Sequence, residues 1–126
     1  MNYLWVAFGS ALGGMGRYAC TGLGARWFGE TFPWGTLFVN VAGSLVIGVL
    51  AVVIPPDTRV LSDDARDFLM IGLCGGFTTF SSFSLQTLNL ARNGEWGPAL
   101  GYTLGSVVLC LAAVVIGYFG AQALAR

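Results

Sequence analysis

The sequence predicts an all-α membrane protein with four transmembrane helices in each chain, and three observations carry that expectation. Of the 126 residues, 56% are hydrophobic and 10% are charged, less than half the roughly 25% charge of a soluble domain. The charged residues fall at wide intervals: 26 uncharged residues lie between Glu30 and Asp57, 24 between Asp67 and Arg92, and 30 between Glu95 and Arg126. Crossing ~30 Å of hydrocarbon at ~1.5 Å per residue takes about 20 residues, so each interval holds one helix.

The first span, 3–28, is apolar but interrupted by Arg17, and no positive stretch precedes it as one would precede the core of a secretory signal. Gly29 to Pro33 supplies a turn, and the second span follows over 32–55, stopped by Pro55-Pro56. Ser62 or Asp63 can cap the third span, 68–91, by accepting from free N–H groups. Asn93-Gly94 and Gly97-Pro98 then mark the turn into the fourth, 97–124. Four spans take about 80 residues and form a single transmembrane domain over 1–126, with no room for a soluble one. Trp5, Trp27, Trp34 and Trp96 fall near span ends, where indoles rest at headgroup level. Gly9/Gly13 and Gly101/Gly105 stand at GxxxG spacing, which allows close helix approach in lipid. So small a unit encloses no pore by itself, and an oligomer is expected.

Composition also excludes function classes. Six Arg against six acidic residues give zero net charge, so a nucleic-acid partner held on a basic surface is not expected. With no Lys and no His, the chain lacks a Schiff-base lysine, a P-loop lysine, an imidazole base and a histidine metal ligand; it is not expected to be an enzyme or to carry an organic cofactor. Cys20, Cys74 and Cys110 lie in apolar stretches without CxxC spacing and read as small buried residues. The arginines divide evenly between the two sides of a four-span chain, Arg59, Arg66 and Arg126 against Arg17, Arg26 and Arg92. Cytoplasmic loops normally carry the excess; an even division suits a chain that inserts both ways round and pairs as an antiparallel, dual-topology homodimer, the alternative being a single orientation decided by hydropathy or partner lipids.

Five of the seven residues from Thr78 to Ser84 bear hydroxyls, which is not a lipid-facing surface. Gly75-Gly76 followed by Thr78-Thr79 weakens helix propensity, so the third helix is expected to break near mid-membrane, around Gly75 to Thr78, where irregular backbone survives only if it lines a cavity or binds an ion. Thr36, Asn40 and Ser44 recur every four residues on the second span, as do Tyr102, Ser106 and Cys110 on the fourth. With Ser81 and Ser84, these stripes are expected to line a narrow path. Asn40 reads two ways, as a pore amide or as an interhelical hydrogen bond. Phe80 and Phe83, three apart, read either as core packing or as ring edges that weakly stabilise an anion. Hydroxyls, an amide and ring edges without a fixed ammonium suit a small hard anion that must be held weakly to be conducted.

The motifs Gly13-Gly14-Met15-Gly16-Arg17-Tyr18, Phe32-Pro33-Trp34-Gly35-Thr36-Leu37-Phe38-Val39-Asn40 and Gly75-Gly76-Phe77-Thr78-Thr79-Phe80-Ser81-Ser82-Phe83-Ser84 resemble the signatures of the CrcB/Fluc fluoride channels, in order and spacing, over essentially the whole chain. The resemblance implies an antiparallel homodimer in the cell membrane, in a bacterium the inner membrane. It implies two fluoride pores, passive expulsion of fluoride that entered as hydrofluoric acid, and a structural sodium ion at the dimer interface. It matches Asn40 to the pore asparagine, Phe80 and Phe83 to the phenylalanines whose edges face fluoride, and Tyr102 and Ser106 to pore-side positions. Gly75 and Thr78 match the carbonyls that hold sodium, and Arg17 an arginine near an aqueous vestibule. Gln86 departs from a glutamate common in relatives. The rival reading is a small four-span, proton-coupled multidrug exporter, which needs a titratable group at depth; the six carboxylates here fall in expected loops or at span ends.

Overall fold

The computed structural model describes residues 2–57 and 59–126. Six α-helical segments occur in it: α1 (Asn2–Phe28), α2 (Trp34–Val53), α3 (Asp63–Arg66), α4 (Gly75–Phe77), α5 (Phe80–Arg92) and α6 (Trp96–Ala125), with a π-helical stretch, Asp67–Cys74, joining α3 to α4. They group into four long units, because α3, the π-helical stretch and α4 run on into α5 as one interrupted helix. No strand occurs among the described residues.

Three units are long and apolar enough to cross a membrane: Trp34–Val53, Asp63–Arg92 and Trp96–Ala125. At 27 residues α1 has the length, but Arg17 and Arg26 leave it less apolar. Side chains that would bury themselves in water instead point outward, as Leu104 (64% exposed), Ile116 (64%) and Phe8 (63%) do. Such a surface suits a hydrocarbon solvent, where lipid replaces the core as the place for apolar groups. The protein is a multi-pass membrane protein.

Local chemistry sets the ends of the segments. Ser62 Oγ accepts from the Ala65 N–H at 3.2 Å and caps α3. Gly94, at φ +79°, turns the chain out of α5: its N–H donates to Ala91 O and that of Glu95 to Leu90 O, the paired bonds of a Schellman stop that favours glycine. The loop before α3 is tied back by Arg66 Nε, which donates to Ile54 O at 3.3 Å.

Glycine brings the helices together. A Cβ on Gly9 would run into Phe68 O and Gly72 Cα, and one on Gly13 into Leu73 O and Phe77 N, so α1 lies backbone to backbone on the π-helical stretch and α4. Gly48 and Gly117 do the same between α2 and α6. The Gly101/Gly105 pair does not: neither has a described neighbour outside its own helical turn within 4 Å of a Cβ, and the close contact expected from its spacing is absent among the described residues. The small buried cluster of Phe83, Leu90, Ala99 and Tyr102, backed by Phe32 and Leu37, ties α5 to α6 at the end near the α1–α2 turn.

Candidate functional site

The interrupted helix breaks at Thr78 (φ −87°, ψ 158°) and Thr79 (φ −152°, ψ 117°), both extended. This narrows the expected position, around Gly75 to Thr78, to its C-terminal end and extends it to Thr79. Gly75 is helical (φ −63°, ψ −38°) and Gly75–Phe77 form α4. The two glycines leave the helix intact; the β-branched threonines, stiff and favourable to extended backbone, are what break it.

A break strands main-chain groups that a helix would pair. Thr79 Oγ1 accepts from the Ser82 N–H at 3.2 Å and caps α5. Thr78 N–H and Oγ1–H both donate to Cys74 O at 3.1 Å. From α2, Asn40 brackets Thr79: its Oδ1 accepts from the Thr79 N–H at 2.7 Å and its Nδ2 donates to Thr79 O at 3.1 Å. From α1, Arg17 Nε donates to Gly76 O at 3.2 Å. Gly43 makes room beside the break, since a Cβ there would collide with Thr78 Cγ2.

Beside the break opens a cavity of about 400 Å³ whose walls include Asn40, Thr78, Phe80, Phe83 and Ser106. No charged side chain of the described residues lines it. Asn40 spends one amide hydrogen on Thr79 and retains the other. Ser106 is 5% exposed and its Oγ has no hydrogen-bond partner among the described residues, a costly state for a buried hydroxyl. Phe80 is 76% exposed and Phe83 8%; their ring centroids are 5.4 Å apart at 55°. Gly75 and Ser44 complete the polar wall, with Ser44 Oγ donating to Asn40 O at 2.7 Å.

The remaining sequence-predicted residues lie elsewhere. Ser84 Oγ donates back to Phe80 O at 2.9 Å and Ser81 Oγ approaches Thr79 Oγ1 at 3.4 Å; both are exposed and neither lines the cavity. Tyr102, almost fully buried, packs on Phe83 at 5.0 Å and on Phe32 at 5.3 Å between ring centroids. Its hydroxyl donates to Gln86 Oε1 at 2.8 Å, and Gln86 Nε2 donates to Thr36 Oγ1 at 2.9 Å. Thr36 and Gln86 line a second cavity, also about 400 Å³, with Asn89, Asn93, Glu30 and Glu95 toward the loops. Through Phe83, Tyr102 and Gln86, a wall of one cavity is thus connected to a wall of the other. Thr79, from the hydroxyl run, lines the cavity as expected, whereas the bridging role of Gln86 and the cavity-lining position of Cys74 have no counterpart among the sequence expectations. A glutamine amide in an apolar helix needs two partners, and that was the signal for Gln86.

A family profile described as "CrcB-like protein, Camphor Resistance (CrcB)" matches residues 4–118. The chain is 57% identical over 123 residues to a protein of Opitutus terrae named "Fluoride-specific ion channel FluC", covering 97% of this chain and 93% of that one. Proteins bearing the same name from Methylocella silvestris (54% over 125 residues, 98% and 95% covered) and Rhodospirillum rubrum (52% over 122 residues, 96% and 95% covered) are similarly close.

Proposed function

Because the chain belongs to the CrcB-like protein family, we propose that it is a fluoride-specific ion channel and that fluoride passes through the cavity beside the helix break. The observation that carries this reading is the company kept in that cavity. Asn40, Phe80, Phe83 and Ser106 share its walls with no carboxylate among the described residues. Ser106 contributes a hydroxyl with no partner among the described residues, and Asn40 a spare amide hydrogen. Both can donate to an anion stripped of water, and ring edges add a weak positive rim. Weak, multiple donors without a fixed cation allow an ion to leave as readily as it enters. A proton-coupled exporter would need a membrane-embedded carboxylate in this place.

The pore is completed, in this reading, by a second copy inserted the other way round, the even arginine distribution permitting both orientations, with α1 as the fourth span and the bacterial inner membrane as the site. Sodium fits the break. Donors of the chain go to the carbonyls of Cys74, Gly76 and Thr79, which leaves those of Gly75 and Thr78 as hard oxygen ligands of the kind sodium takes. The space beside Gly75 is open, with no described residue outside its own helical turn within 4 Å of a Cβ, so a second copy can approach there. When bound, the ion supplies positive charge that stabilises the exposed carbonyls; Thr78 and Thr79 hold those carbonyls in place.

Fluoride efflux from liposomes containing the purified protein tests the reading. Rapid efflux, with chloride retained and no requirement for a proton gradient, is expected. Efflux that stops without an opposing proton gradient restores the exporter.

A further inference from the structure

Arg17 stands where its charge has no obvious purpose. It is half-buried in the middle of α1, and no carboxylate of the described residues pairs with it. Among the described residues its side chain makes one hydrogen bond, and that bond is directed: Nε donates to Gly76 O at 3.2 Å. In an unbroken helix that carbonyl would accept from the N–H of Phe80, four residues on. Two extended residues intervene, Phe80 opens a new helix, and the donor is withdrawn. The backbone of α1 is already pressed against this point, since a Cβ on Gly76 would sit 2.8 Å from Ser10 Cα and one on Gly13 would sit 2.7 Å from Phe77 N. Arg17, one turn beyond Gly13, reaches the carbonyl that this packing strands.

We propose that Arg17 is a positioning residue: through its Nε–H, and not through its charge, it holds the Gly76 carbonyl to α1 and so fixes where the helix ends. The break is then gripped from two sides, Arg17 on Gly76 from α1 and Asn40 on Thr79 from α2. Release of the first grip lets the end of α4 shift, and Thr79 slides away from Asn40 and the cavity wall. The alternative, a fixed positive charge that draws anions toward the pathway, makes opposite demands on the side chain.

Side-chain chemistry separates the two. The amide nitrogen of glutamine occupies the same place along the stem as arginine Nε, with a donor and no charge; methionine has similar length with neither. The test therefore compares Arg17→Gln with Arg17→Met, reading fluoride efflux from liposomes and, separately, amide hydrogen exchange at Thr79 in purified protein. Arg17→Met is expected to lose about tenfold or more in efflux and to speed Thr79 exchange by a similar factor, the scale of one hydrogen bond to a charged donor. Arg17→Gln is expected to restore both to within about threefold of the native protein. If Arg17→Met fails to assemble while Arg17→Gln assembles and conducts, the donor is again the requirement. Equal loss of efflux in both variants with native exchange overturns the proposal in favour of the charge, and native behaviour of both overturns it outright. The efflux arm rests on the channel reading and the exchange arm does not, so a native protein that passes no fluoride removes that reading and leaves the clamp to be decided by exchange.

Discussion

Asn40 and Thr79, 39 positions apart in the sequence, exchange two hydrogen bonds: the Asn40 amide donates to Thr79 O at 3.1 Å and accepts from the Thr79 N–H at 2.7 Å. The side chain thereby replaces a missing piece of helix ladder, and in doing so it fixes its own orientation at the cavity wall. The two readings of Asn40, interhelical bond and pore amide, are therefore compatible. One amide hydrogen serves the first and the other is free for the second.

Asn40→Asp keeps the acceptor for Thr79 N–H and loses both donors. A full negative charge about 4 Å from a passing anion adds about 4 kcal/mol at an effective dielectric near 20. Fluoride flux in liposomes is expected to fall about a thousandfold, since each ~1.4 kcal/mol is tenfold.

Phe80→Ile and Phe83→Ile are both expected to lower flux, because an aliphatic chain has no positive edge, but their effects on stability should differ. Phe80 is exposed with its ring beside that of Phe83, whereas Phe83 is buried between the rings of Phe80 and Tyr102. Only Phe83→Ile should destabilise the protein, by about 1 kcal/mol from lost ring contacts, as measured by thermal unfolding in detergent. Unchanged flux in both returns the rings to packing alone.

Ser106→Ala separates function from stability in the other direction. Its hydroxyl is buried without a partner, so its removal should leave the melting temperature unchanged or raise it. Flux should drop about tenfold or more, the worth of one hydrogen bond to a charged ligand.

Gln86→Leu strands the Tyr102 hydroxyl and Thr36 Oγ1 together, at about 1–3 kcal/mol for each buried group left unpaired. Gln86→Glu still accepts from Tyr102, and the Thr36 hydroxyl can turn to donate, so its stability should stay within about 1 kcal/mol of native. Unfolding curves for the two variants check this.

Gly75→Val probes the second copy. The chain is helical at this point with open space beside a Cβ, so a single chain should tolerate valine. Loss of the dimer by crosslinking or light scattering is expected; an intact, conducting dimer argues against contact between copies at the break.

Much of the architecture was legible in the sequence because charge spacing is a one-dimensional signal. The segments between charged residues became helices, and the glycines at Gly9 and Gly13 became a close contact. What was misplaced depended on distant partners. Gly75-Gly76 and Thr78-Thr79 together read as the weak point; Gly76 is spent on close approach to Ser10, and the break falls at Thr78-Thr79, where Asn40 is available to satisfy it. The π-helical stretch Asp67–Cys74 has no signature in propensity that would announce it. The hydroxyl run divided in the same way: Thr78 and Ser84 bond back along their own helices, Thr79 caps α5, and the cavity drew its free hydroxyl from Ser106 on another helix.

The most direct measurement is the reversal potential across a planar bilayer containing the protein, with a tenfold fluoride gradient and then an added pH gradient. A passive fluoride channel reverses at about 59 mV, the value for a tenfold gradient of one monovalent ion, and does not move when the pH gradient is imposed. A reversal potential that shifts with the pH gradient, or no current until one is present, would contradict passive fluoride conduction.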